Sequence, residues 1–110
     1  MAFALRAVQL YRHLDGQERA ARRLADQFLR AATSVGANIE EAKGGESRRD
    51  FAHKYGIALK EARETLYWLK LFREAGFVGS DRLEPLLDEA DQLVAIPTTI
   101  VARSRRNGTD

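Results

Sequence analysis

Apolar side chains recur along the whole chain at the spacing of an α-helix. Phe3, Ala7, Leu10 and Leu14 follow one another at intervals of 4, 3 and 4. They predict a first helix from about Ala2 to Leu14, broken by Asp15-Gly16. Ala21, Leu24, Phe28, Ala31, Val35, Asn38 and Ala42 then alternate 3 and 4, an a/d seam over three heptads. That seam predicts a second helix over Gln17–Lys43, stopped by Gly44-Gly45. A third begins near Ser47, whose hydroxyl suits a helix N-cap, with Asp50 in the first turn at the positive end. Its stripe is Phe51, Tyr55, Ala58, Ala62, Leu66 and Leu69, and Gly76 and Gly79 bracket its end. The fourth opens at Ser80 or Asp81, with Glu84 placed to complete a capping arrangement. Its stripe is Leu83, Leu87, Ala90, Val94, Pro97 and Val101, supported by Leu86, Leu93 and Ile100. Pro97 removes a helical hydrogen bond and predicts a kink or an early end there.

Four helices on short turns fold most simply as an all-α, antiparallel up-down-up-down four-helix bundle. The expected domain is single and covers residues 1–106, with a disordered polar tail over 107–110. At 110 residues the chain has room for one core and none for a separate cofactor domain. Hydrophobic residues at 45% and charged residues at 31% exclude a disordered or membrane-embedded chain. Arg6 interrupts any signal-peptide core, and no run reaches the roughly 18 apolar residues of a membrane span. The expected location is the cytoplasm, with no membrane contact.

Candidate chemistry is sparse. The absence of Cys excludes disulfides, thiol catalysis and Cys-based zinc sites. The two His, His13 and His53, belong to no Glu-x-x-His pair of the kind a di-iron bundle uses. No phosphate-binding glycine loop or nucleophile elbow is present. Glu40, Glu41, Glu61 and Glu64 offer carboxylates, but glutamates on charged helices are ordinarily solvated or ion-paired. No enzyme, cofactor, metal or small-molecule substrate is therefore expected. Asn38 lies on the core seam, where its amide is expected to fix helix register as a structural polar core residue.

Two features point instead to binding. The third helix carries a second apolar set, Ile57, Trp68 and Leu71 with Tyr67 beside them, away from its core stripe. One stripe serves one partner, so the second predicts another contact. Either the first helix packs there, or the set is a subunit interface anchored on Trp68. The charge is also uneven. The formal total is only +2, yet residues 1–35 hold six Arg against three acids, and residues 65–101 hold three basic groups against six acids. Arg19, Arg22, Arg23 and Arg30 on the second helix, with Arg103, Arg105 and Arg106 in the tail, form a candidate surface for RNA or DNA phosphates.

Arg30-Ala31-Ala32, Ser34, Asn38-Ile39 and Glu41 occur on the second helix, and Phe51, Ile57-Ala58-Leu59, Glu64 and Tyr67-Trp68-Leu69 follow on the third. In this combination the chain resembles the four-helix-bundle family first met as reading frames in intervening sequences of bacterial 23S rRNA genes. The resemblance covers about residues 18–75 well and the fourth helix loosely. It implies a small antiparallel bundle that forms homo-oligomers, expected as pentameric rings, with no catalytic residues. Related accessory proteins of diversity-generating retroelements form a basic barrel that binds nucleic acid and a reverse transcriptase. This chain departs from many relatives at Lys60-Glu61, where they have Gly-Ser, and at Pro97.

Overall fold

The structure, a computed structural model, describes the backbone of residues 2–44 and 47–107, and side chains as far as Ala95. It contains α1 (Ala2–Asp15), α2 (Arg19–Lys43), α3 (Arg48–Glu74) and α4 (Ser80–Asn107). Contacts join α1 to α2, α2 to α3, α3 to α4 and α4 back to α1. In the two remaining pairs, α1 with α3 and α2 with α4, the backbones do not approach among the described residues, so they stand diagonally across the shared core. The result is the four-helix up-down arrangement that the spacing predicts, drawn out to 49 × 21 × 19 Å.

The core explains why these segments pair. Phe28 and Phe72, both fully buried, meet edge-on with ring centroids 5.6 Å apart. Leu10, Leu14, Leu69 and Leu83 close around them. Much of the rest of the seam is alanine: Ala21, Ala25, Ala31 and Ala32 on α2, and Ala58 and Ala62 on α3, all at most 1% exposed. Small side chains on facing ridges let helix axes approach closely. On α2 the buried face is wider than the a/d seam, because Ala25 and Ala32 join it and α2 packs against both α1 and α3.

The ends follow local chemistry. Ser47 Oγ accepts the Asp50 N–H at 3.1 Å, the expected N-cap of α3. At the other end Gly76, at φ 75°, takes the left-handed conformation. Its N–H bonds the Arg73 carbonyl, and the Phe77 N–H bonds that of Phe72, both at 3.1 Å. This is a Schellman stop, and the accompanying apolar contact is Phe77 on Phe72. Two expectations change at α4. The helix starts at Ser80 itself, with Gly79 accepting its first backbone bonds, and Glu84 faces Arg73 of α3 at 3.8 Å instead of capping. Neither does α4 end at Pro97, since its backbone is helical through Pro97 to Asn107. One lost donor in a 28-residue helix is outweighed by the bonds on either side. Of the expected tail, residues 108–110 lie outside the described residues.

The first helix is the short one. Its 14 residues span roughly 21 Å at 1.5 Å per residue, against roughly 38 Å for the 25 of α2. Where α1 begins, a cleft of about 200 Å3 opens, lined among others by Phe3, Ala4, Val35, Gly36, Ile39 and Leu93. No helix of the described residues is long and apolar enough to cross a membrane.

Candidate interaction surface

Trp68 lies one helical turn beyond Glu64 on α3, and such pairs share a face. Its indole Nε1 donates to Glu64 Oε2 at 3.1 Å. The same carboxylate oxygen accepts from Arg30 Nη2, which reaches across from α2. Arg30 Nη1 also donates to Glu61 Oε2 at 3.2 Å. One guanidinium thus clamps two carboxylates of α3, and one of those fixes the indole. Arg30 is half exposed, so its ion pairs add little to stability. Their effect is orientation: the Trp68 ring is held at one end by packing on the core and at the other by its N–H.

Tyr67 stands edge-on to Trp68, with centroids 5.1 Å apart, and is 58% exposed. Ile57, Trp68 and Leu71 are half-buried. The backbones of α1 and α3 do not approach each other among the described residues, although Leu10 and Leu14 share the core with Leu69 and Phe72 and Trp68 packs against that core.

The hydrogen bond from Trp68 is the largest influence holding the Glu64 carboxyl below its ordinary value of 4.5; burial opposes it next, and the bond and charge of Arg30 add to the lowering. That direction favours a permanent anion, whereas a general acid needs a raised value. A carboxyl depressed in the fold stabilises it above the unfolded value, near 4.5, and the contribution is lost as pH falls through the lower folded value. In an NMR titration, the Glu64 side-chain carbon is expected to show a midpoint below 4.5 that rises in Trp68→Phe. A native midpoint at or above 4.5 refutes the arrangement.

The arginine strip divides. Arg19, Arg22 and Arg23 are exposed at the start of α2 and enter no ion pair among the described residues. Arg30 belongs to the clamp and is not free for phosphate. Between them Asp26 accepts the Tyr11 hydroxyl at 2.9 Å. The side chains of Arg103, Arg105 and Arg106 lie outside the described residues. Asn38 is half-buried, not in the closed core, and its Nδ2 donates to the Ser34 carbonyl of its own helix at 2.9 Å. That bond is local to α2. His53 is exposed, and His13 meets Gln17 at 2.8 Å. Among the described residues no cluster of His, Asp and Glu could hold a metal ion.

The clamp was hidden in the sequence because it needs the register of α2 against α3. The four-residue step from Glu64 to Trp68 was its one visible signal.

The chain is therefore a four-helix bundle whose outer α2–α3 groove braces an outward aromatic pair. It belongs to the 23S rRNA-intervening sequence protein family, whose model matches residues 1–98. Among solved structures it is similar to a protein of unknown function from the S23 ribosomal protein family of Bacteroides thetaiotaomicron. The two are 38% identical with a TM-score of 0.85, over 91% of this chain and 92% of that one. No curated protein matches. Arg30, Glu64 and Trp68, three of the residues that carry the family resemblance, are the ones that meet in the clamp.

Proposed function

We propose that this protein works by binding and not by catalysis. In this reading it is a cytoplasmic homo-oligomer, pentameric as the family resemblance implies, that serves as a scaffold for a partner. The observation that supports it is the Tyr67–Trp68 pair, with Tyr67 exposed and Trp68 braced from behind by the Arg30–Glu64 clamp. Aromatic anchors of this kind dominate association energies, and a ring held before contact loses less freedom on binding. Light scattering at micromolar concentration is expected to give a mass that is a multiple of 12.4 kDa. A monomer at high micromolar concentration overturns the reading.

A second reading is supported by Arg19, Arg22 and Arg23. Three cations, Arg19, Arg22 and Arg23, sit near the positive end of the α2 dipole, where Glu18 at the N-cap is the neighbouring acid, so the cations outnumber it there. Nucleic-acid phosphates would relieve that excess. A gel shift with RNA and DNA at low salt tests this: retardation that weakens steeply with salt supports it, and none removes it.

A further inference from the structure

The cleft where α1 begins follows from that helix being short. Its first turn, with Phe3 and Ala4, reaches the level of Val35 and Ile39, while α2 runs on to Lys43. Ala32, Val35, Gly36, Ile39, Glu40 and Lys43 form the α2 side of the cleft. Their steps of 3, 1, 3, 1 and 3 put them on one face of the helix. That face changes character along its length: it is apolar from Ala32 to Ile39 and charged at Glu40 and Lys43. Phe3 and Ala4 of α1 and Leu93 of α4 supply further apolar walls. Arg6 donates from Nε to Glu89 Oε1 at 2.6 Å, so the start of α1 is tied to α4 one turn before Leu93.

Gly36 is the unexpected residue there. Where α2 needs a small side chain it uses alanine, at Ala21, Ala25, Ala31, Ala32 and Ala42. Glycine is a much poorer helix former. No packing demand accounts for it, because a methyl group built at Gly36 meets no atom of a neighbouring helix within 4 Å. What the glycine does is leave the cleft deeper than alanine would.

Size and charge then define an occupant. The cleft holds about 200 Å3. An apolar cavity of about 150 Å3 takes up benzene, so the apolar part here admits one ring or one branched aliphatic group. It is too small for the larger ligands that fill sites of roughly 300–1,000 Å3. At the charged end, Lys43 Nζ and Glu40 Oε1 stand 3.6 Å apart, beyond hydrogen-bond length, and both side chains are exposed. Each therefore keeps hydrogen-bonding capacity for a ligand. A molecule that carries an ammonium and a carboxylate on one carbon presents the complementary pair.

We propose that this cleft binds a free α-amino acid with an apolar side chain of leucine to phenylalanine size. The side chain lies over Gly36, the ammonium faces Glu40 and the carboxylate faces Lys43. The site is separate from the Tyr67–Trp68 pair and does not rest on the self-association reading.

The test is a titration of the full chain with phenylalanine and with leucine, followed by NMR at the Gly36 amide and the Leu93 methyl groups. Phenethylamine and phenylpropionate, each lacking one charge, serve as controls. Phenylalanine is expected to bind with a dissociation constant on the order of 1 mM, as suits a ligand of about twelve heavy atoms. Each control is expected to bind at least roughly 5-fold more weakly. Gly36→Leu fills the cleft and is expected to abolish binding, with thermal melting showing that the bundle still folds. Lys43→Met, at an exposed position, is expected to weaken phenylalanine and leave phenethylamine unchanged. The proposal is overturned by no response to either amino acid well above that concentration, or by shifts that spare Gly36 and Leu93. Controls that bind as well as phenylalanine also overturn it, as does a Lys43→Met chain that binds phenylalanine as the native one does.

Discussion

Phe28→Ala is expected to lower the free energy of unfolding by about 3–5 kcal/mol, the usual cost of emptying a buried aromatic site. Phe28 is fully buried where α2 crosses α3, edge-on to Phe72. The substitution removes the burial of the ring and the aromatic contact together. Collapse into the gap is limited, since the neighbours are alanines on the same helices and leucines from α1, α3 and α4. Domains of this size are stable by only about 5–15 kcal/mol, so the loss is a large share of the total. Thermal unfolding followed by circular dichroism should shift down by roughly 15 °C. Protein concentration must be the same for both forms, because association stabilises the folded chain by mass action. A loss below about 1 kcal/mol would mean that the α2–α3 crossing is not the packed centre of the bundle.

Trp68→Ala is expected to weaken self-association by at least ~2 kcal/mol, or roughly 30-fold. The variant loses the anchor and leaves Tyr67 without the ring it stands against. It also leaves Glu64 with Arg30 but without the indole donor. Trp68→Phe separates these effects, since it keeps an aromatic ring and removes only the N–H. If bracing matters, Trp68→Phe falls between the native chain and Trp68→Ala. If apolar area alone matters, it stays close to native. Sedimentation across a range of concentrations reads all three. An unchanged assembly in Trp68→Ala would move the interface off this face.

The helices were legible because each carries a stripe of helical period and ends in residues with a clear local role. Ala2 and Lys43 are found as bounds where the pattern puts them, and Ser47 caps α3 as its hydroxyl suggests. Errors arose where a residue's fate depends on a neighbouring helix. Arg30 reads as a free cation in one dimension, yet two carboxylates 31 and 34 residues away occupy it. Asn38 lies on the a/d line, yet it is half-buried and its Nδ2 bonds within its own helix. Pro97 pointed to a kink or an early end, and α4 does not end there. The aromatic pair was visible as a second stripe; the exposure of Tyr67 and the bond from Trp68 to Glu64 needed the fold.

The alanine seams have an entropic consequence. An alanine side chain has no rotamers to lose, so ordering it costs only the backbone, and alanine is also the best helix former. The bundle therefore fixes most of its α2–α3 contact with little side-chain entropy lost, and draws its large burial terms from a few residues such as Phe28, Phe72, Leu69 and Leu83. Its tolerance to change is correspondingly two-sided. The large residues resist becoming smaller, while the alanines resist becoming larger, because added methylenes would have to push the helices apart.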